Sequence, residues 1–78
     1  MNKKDMNKRI GEELRSEREK RNLSLADVAF RMGYSSRNTI SKIELGLTQI
    51  TVEQLQSYCD SIGCDMYDVL RRVQNACV

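Results

Sequence analysis

The stretch GYSSRNTISKIELG, Gly33–Gly46, decides how this chain is read. Two isoleucines at helical spacing, Ile40 and Ile43, sit among Ser36, Arg37, Asn38, Ser41 and Lys42. At about 100° per residue, with Ile40 at zero, Ile43 falls at about 300° and the inward direction at about 330°. Asn38 at about 160°, Lys42 at about 200°, Ser41 at about 100° and Leu45 at about 140° then point outward. Arg37 lies on the flank of the first turn, where a long side chain still reaches forward. The outward face is therefore a continuous set of hydrogen-bonding groups, richer than a helix that only covers a core requires. Glu44, at about 40°, borders the buried side. A carboxylate there needs a cationic partner or carries a large desolvation cost, unless it is simply a solvated edge residue.

Working outward, local punctuation divides the chain into five helices. Helix one runs from Asp5 or Met6 to Arg21, with Met6, Ile10 and Leu14 on one face, and ends at Asn22, which tolerates the left-handed conformation. Helix two starts at the cap Ser24, with Asp27 completing a capping box, buries Leu25, Val28, Ala29 and Met32, and stops at Gly33. Helix three starts at Ser35 or Ser36 and ends at Gly46. Helix four starts at Thr51 with Gln54 as a second capping box and buries Val52, Leu55, Cys59 and Ile62 before Gly63. Helix five is capped by Asp65 and shows Met66, Val69, Leu70, Val73 and Cys77 along one stripe. The predicted fold is all-α, a single compact five-helix bundle over residues 1–78.

Composition narrows the function. The 78 residues suffice for one small core but not for a core plus a deep substrate pocket. Residues 1–46 carry 11 Lys/Arg against 7 Asp/Glu, whereas residues 47–78 carry 2 against 4. A basic first half suits phosphate, and an acidic second half faces away from it or meets another protein. The chain has no histidine, no convergent acid pair and no glycine-rich phosphate loop, so an enzyme is not expected. Cys59, Cys64 and Cys77 match neither a disulfide framework nor a zinc spacing and read as ordinary buried or half-buried thiols, with no metal or cofactor. No apolar run exceeds three residues, so neither a membrane span nor a signal peptide is read, and a cytoplasmic location is expected.

IGEELRSEREKRNLSLADVAFRMG, then NTISKIELG, then TVEQLQSYCDSIGCDMYDVL resemble the Cro and phage-repressor type (Xre-like) helix-turn-helix family, over about residues 8–72. The resemblance implies a lambda-repressor-like fold whose helices two and three form the DNA-binding unit, about residues 24–45, with helix three in the major groove. It implies base reading by Arg37, Asn38, Ser41 and Lys42, a chemistry these side chains suit: Arg or Lys spans a guanine edge, Asn an adenine edge. Ser24, Ser36, Thr39, Thr48 and Gln49 are the implied phosphate contacts, Ser36 and Thr39 also serving the cap. A late arginine of helix one pairs with the glutamate ending helix three in this family, here Arg18 with Glu44.

The chain departs from the family pattern in places. One residue is extra between Gly33 and Ile40, Leu25 replaces a common glutamine, and Leu45 stands where a polar or basic residue is common. Phe30 falls on the outward side of helix two, either covered by a neighbour's side chain or contacting a partner protein. The expected function is a sequence-specific transcriptional regulator, a repressor binding a near-palindromic double-stranded operator as a homodimer. Helix five, about residues 66–77, would supply the pairing face. The alternative is a protein-interaction module that binds a toxin or antirepressor, with DNA binding secondary.

Overall fold

Helix starts in this chain are set by side chains that accept the first unpaired backbone N–H groups. In the structure, a computed structural model that describes residues 2–76, five such starts generate α1 (Lys3–Lys20), α2 (Leu25–Met32), α3 (Arg37–Glu44), α4 (Val52–Ile62) and α5 (Met66–Ala76). Both capping boxes form: Ser24 Oγ accepts from Asp27 N at 3.0 Å and Asp27 answers Ser24 N at 2.9 Å. Thr51 and Gln54 exchange the same bonds at 3.0 and 3.1 Å. Asp65 Oδ1 accepts from Tyr67 N at 2.8 Å at the start of α5. α1 begins earlier than Asp5 because Asn2 caps it, its side chain accepting from Asp5 N at 2.9 Å. Of the two candidate starts of α3, Ser36 is the cap; its Oγ accepts from Asn38 N at 3.1 Å.

α1 runs across the molecule and packs against α3, α4 and α5, while α2 packs against α3 and α4. Their shared core holds Ile10, Leu14, Val28, Ala29, Ile40, Ile43, Leu55, Tyr58, Cys59, Ile62, Val69 and Val73. Arginines from α2 and from the cap that ends α1 tie down the end of α4: Arg31 Nη1 donates to Ser61 O at 2.8 Å and Arg21 Nη2 to Gly63 O at 3.5 Å. Cations near the last carbonyls of a helix are favourable placements.

Three expectations need correction. Val52 is 75% exposed, because it occupies the first position of α4, where the wheel's inward direction points past the end of the core. Tyr58, absent from the expected core, is fully buried on the flank of the same helix. Val69 and Val73, expected on a pairing face, are buried against α1 and α4 of their own chain, so the outer part of that stripe is Met66 and Leu70 alone. Cys77, the last member of the stripe, lies outside the described residues.

Gly11, in the middle of α1, is a position where only a missing side chain fits. A Cβ built there would lie 2.3 Å from Glu44 O and 2.6 Å from Ile43 O, so α1 and the last turn of α3 touch backbone to backbone. Alanine would raise helix propensity by about 1 kcal/mol, but it forces the two helices apart, an overpacking cost of typically about 1–3 kcal/mol. With the blocking atoms belonging to backbone, the second effect wins. Gly11→Ala is expected to lower the melting temperature, and a variant melting at or above wild type would show that α1 and α3 separate freely.

Candidate nucleic-acid interface

The outward face of α3 is defined by what holds its inner face. Ile40 and Ile43 are 0% and 2% exposed and anchor the helix in the core. Glu44, at its last turn, is 6% exposed and is met from two sides. Arg18 of α1 grips it with a two-pronged bond, Nε to Oε2 at 2.8 Å and Nη2 to Oε1 at 3.1 Å. The remaining Arg18 nitrogen, Nη1, donates to Leu23 O at 2.7 Å in the α1–α2 turn. The Tyr58 hydroxyl of α4 donates to Glu44 Oε2. The Glu44 hydrogen bond raises the Arg18 pKa, and burial, with the Glu44 bond adding to it, pushes the Tyr58 phenol well up. Both donors therefore stay protonated, and one carboxylate joins α1, α3 and α4 at the point where α3 ends.

A second acidic hub, Glu17, is 5% exposed and faces Lys20, Arg21 and Arg72. The Lys20 hydrogen bond is the main cause that lowers its pKa, with Arg72 assisting from α5. These pairs occupy the cations of the α1–α5 side in holding the fold.

α3 differs in this respect. Arg37, Asn38 and Lys42 are exposed, whereas Thr39 and Ser41 are half-buried on the flanks. Among the described residues the Arg37 and Lys42 side chains make no ion pair or hydrogen bond, leaving both charges available to an outside acceptor. Leu45, 54% exposed, closes the same face with an apolar side chain. Ser36 Oγ accepts from Asn38 N in the cap, and its O–H still has a proton to donate.

Ser24 sits exposed at the start of α2, and the first N–H groups of that helix have no intrahelical acceptor. Asp27 stands beside them, its pKa lowered chiefly by the Ser24 backbone N–H, so this end also carries a negative charge. An anion approaching α2 therefore meets less attraction than one approaching α3. Thr48 and Gln49 are exposed on the α3–α4 loop, next to Lys4 and Asn7 of α1. The loop turns at Gly46, whose φ of 72° and whose Cβ position, 2.7 Å from Lys8 Cα, both require glycine.

Sequence reasoning missed Tyr58 because a tyrosine next to apolar helix positions reads equally well as surface. The one usable signal was the unpaired demand of Glu44, whose second carboxylate oxygen needs a donor beyond one arginine. Phe30 is 86% exposed, so no neighbouring side chain covers it. Cys59 is buried and Cys64 half-buried, and burial raises the pKa of both thiols. Among the described residues no group of three or more His, Cys, Asp or Glu is placed to hold a metal ion, and no helix is long and apolar enough to cross a membrane.

Two solved structures share this arrangement. The crystal structure of the clp gene regulator ClgR from C. glutamicum superposes with a TM-score of 0.86 at 26% identity, covering 94% of each chain. A second structure of the clp gene regulator ClgR, from Corynebacterium glutamicum, gives a TM-score of 0.84 at 27% identity, covering 91% of this chain and 74% of that one. No curated protein sequence gives a match. The family model described as helix-turn-helix matches residues 14–69, which span the α2–α3 unit and the Arg18–Glu44 pair that braces it. The chain belongs to the helix-turn-helix family of the Cro and phage-repressor type.

Proposed function

We propose that this protein is a sequence-specific double-stranded DNA-binding transcriptional regulator that acts in the cytoplasm as a repressor. The observation that carries the reading is the contrast on α3: its inner face is locked by Ile40, Ile43 and the Arg18–Glu44–Tyr58 network, and its outer face presents Arg37, Asn38 and Lys42 unspent. A helix of eight residues is about 12 Å long, comparable to the major-groove width of about 12 Å. Inserted by its N-terminal end, it brings Arg37 and Asn38 to base edges first, with Ser41 and Lys42 following. Thr39, Thr48, Gln49, Ser24 and Ser36 flank that face and suit the phosphates. The similarity to a gene regulator, ClgR, supports the same reading.

Two copies on a near-palindromic operator complete this reading, since one eight-residue helix reads only a few base pairs. The pairing surface is a shallow apolar groove between α1 and α5, rimmed by Met6, Tyr67, Leu70, Arg71 and Gln74 over the buried Val73. Met6 and Tyr67 are 37% and 68% exposed there. One observation favours a second reading, a protein-interaction module that meets a toxin or antirepressor: Phe30 presents an aromatic ring to solvent on α2.

Selection of bound duplexes from random DNA tests the proposal. The expected result is enrichment of one sequence with two inverted halves about one helical turn apart. No enrichment, alongside capture of a protein partner lost on Phe30→Ala, would favour the second reading.

A further inference from the structure

The cations of this chain fall into two groups. Arg9, Arg15, Arg18, Lys20, Arg21, Arg71 and Arg72 each face a carboxylate of the chain, and Arg31 is held by Ser61 O. Among the described side chains Lys4, Lys8, Arg37 and Lys42 have no such partner. Two of these four belong to α3. The other two lie four residues apart near the start of α1, and nothing in the DNA-reading face accounts for them.

Their position is fixed by close contacts. Gly46, just beyond α3, abuts the Lys8 backbone, and Asn7 Oδ1 accepts from Ile50 N at 3.4 Å. The first turns of α1 therefore lie alongside the α3–α4 loop, and Lys4, Asn7, Gly46, Leu47, Thr48 and Gln49 line one shallow cleft. On a wheel with Ile10 at zero, Gly11, which touches α3, lies at about 100°, Lys4 at about 120° and Lys8 at about 160°. Both lysines thus lean to the α3 side of α1, away from α5. The nearest acids of α1 make no ion pair with them: Asp5, about 100° round from Lys4 and about 60° from Lys8, pairs with neither, and Glu12 turns to Arg9 at 3.3 Å instead of to Lys8. In the facing loop the N–H groups of Thr48 and Gln49 donate to no acceptor among the described residues.

We propose that Lys4 and Lys8, together with the Thr48 and Gln49 N–H groups, clamp the sugar–phosphate backbone that borders the groove entered by α3. The inference rests on the DNA-binding reading above and extends it to α1. Lys4 lines the cleft with the loop, Lys8 follows one helical turn on with its backbone against Gly46, and ammonium groups beside backbone donors are the chemistry of phosphate recognition without base recognition. The cleft adjoins the C-terminal end of α3, which reaches the groove wall when the N-terminal end reaches the bases. The clamp would set the depth and register of α3 while leaving sequence choice to Arg37 and Asn38.

The test uses the full chain, a duplex selected by wild type, and Lys4→Gln/Lys8→Gln. Both lysines are exposed and glutamine is a good helix former, so helicity should be unchanged. Each lost phosphate contact is expected to reduce the slope of log K against log salt by about 0.9, with base preferences retained. Neutralising single phosphates as methylphosphonates should weaken wild type at positions flanking each half-site and weaken the double variant less at those same positions, where the Thr48 and Gln49 N–H groups remain. Equal salt slopes and equal methylphosphonate sensitivity for the two proteins would overturn the clamp alone. Altered base preference in the variant would also overturn it, by placing the lysines on base edges. Wild type that selects no duplex would instead remove the DNA-binding reading on which the clamp depends.

Discussion

Glu44→Ala is expected to destabilise the protein by about 3–5 kcal/mol, because it leaves Arg18 as a buried cation without its carboxylate. Arg18 would keep only Leu23 O, and the Tyr58 hydroxyl would keep only Leu14 O at 3.4 Å, a long contact. A domain of this size is stable by roughly 4–12 kcal/mol in total, so the loss removes about a quarter or more of it. At about 4–8 °C per kcal/mol, the melting temperature should fall by at least about 12 °C. Tyr58→Phe keeps the ring in the core and removes one hydrogen bond to a charged group, for a loss of about 1.5–3 kcal/mol. Thermal unfolding of both variants separates the contributions. Wild-type melting of Tyr58→Phe would reduce the network to the arginine–glutamate pair, and wild-type melting of Glu44→Ala would make that pair a surface contact.

Val73→Asp is expected to prevent folding altogether at moderate temperature. Val73 is 1% exposed between α1 and α4, and a carboxylate introduced there has to be buried ionised or take up a proton. Either costs several kcal/mol, comparable to the whole stability of the domain. Leu70→Asp, one turn away at the half-buried edge of the α1–α5 groove, should fold with far less loss. That contrast distinguishes the two roles of the stripe on α5. Circular dichroism reads the folding, and sedimentation of folded Leu70→Asp at micromolar concentration reads the pairing. Dimers of wild type that persist in Leu70→Asp would move the pairing surface away from this groove. A folded Val73→Asp would show that α5 is not seated in the core as described.

The parts of this structure that could be read from sequence are those set by local chemistry. Ser24 with Asp27 and Thr51 with Gln54 mark helix starts through bonds that span only three residues, and both form. The position of Glu44 on the wheel showed a carboxylate leaning inward, which its burial explains. What periodicity does not carry is the identity of the surface a face meets. The stripe of α5 is apolar whether it closes its own core or pairs with a copy, and the core takes Val69 and Val73 while Leu70 stays at the edge. Val52 obeys the helical period yet sits beyond the core's end. The pairing state of a cation is equally hidden, since Arg9 and Lys8 are adjacent in sequence and only the first finds a carboxylate. Gly11 was visible as a glycine within a helix, but the backbone it accommodates comes from α3, 32 and 33 residues further on at Ile43 and Glu44.

For the site, residue type was legible and availability was not. The family resemblance implies base reading by Arg37, Asn38, Ser41 and Lys42, whose chemistry suits it; the structure adds that the Arg37 and Lys42 side chains have no partner among the described residues and that Ser41 is half-buried on the flank. The most direct test of the proposed reading role is binding of wild type and Arg37→Ala to one duplex library derived from the selected sequence. A guanine-edge contact predicts a loss of about 1–3 kcal/mol confined to one base-pair position per half-site, with helicity unchanged. The same base preferences in Arg37→Ala as in wild type would contradict the account.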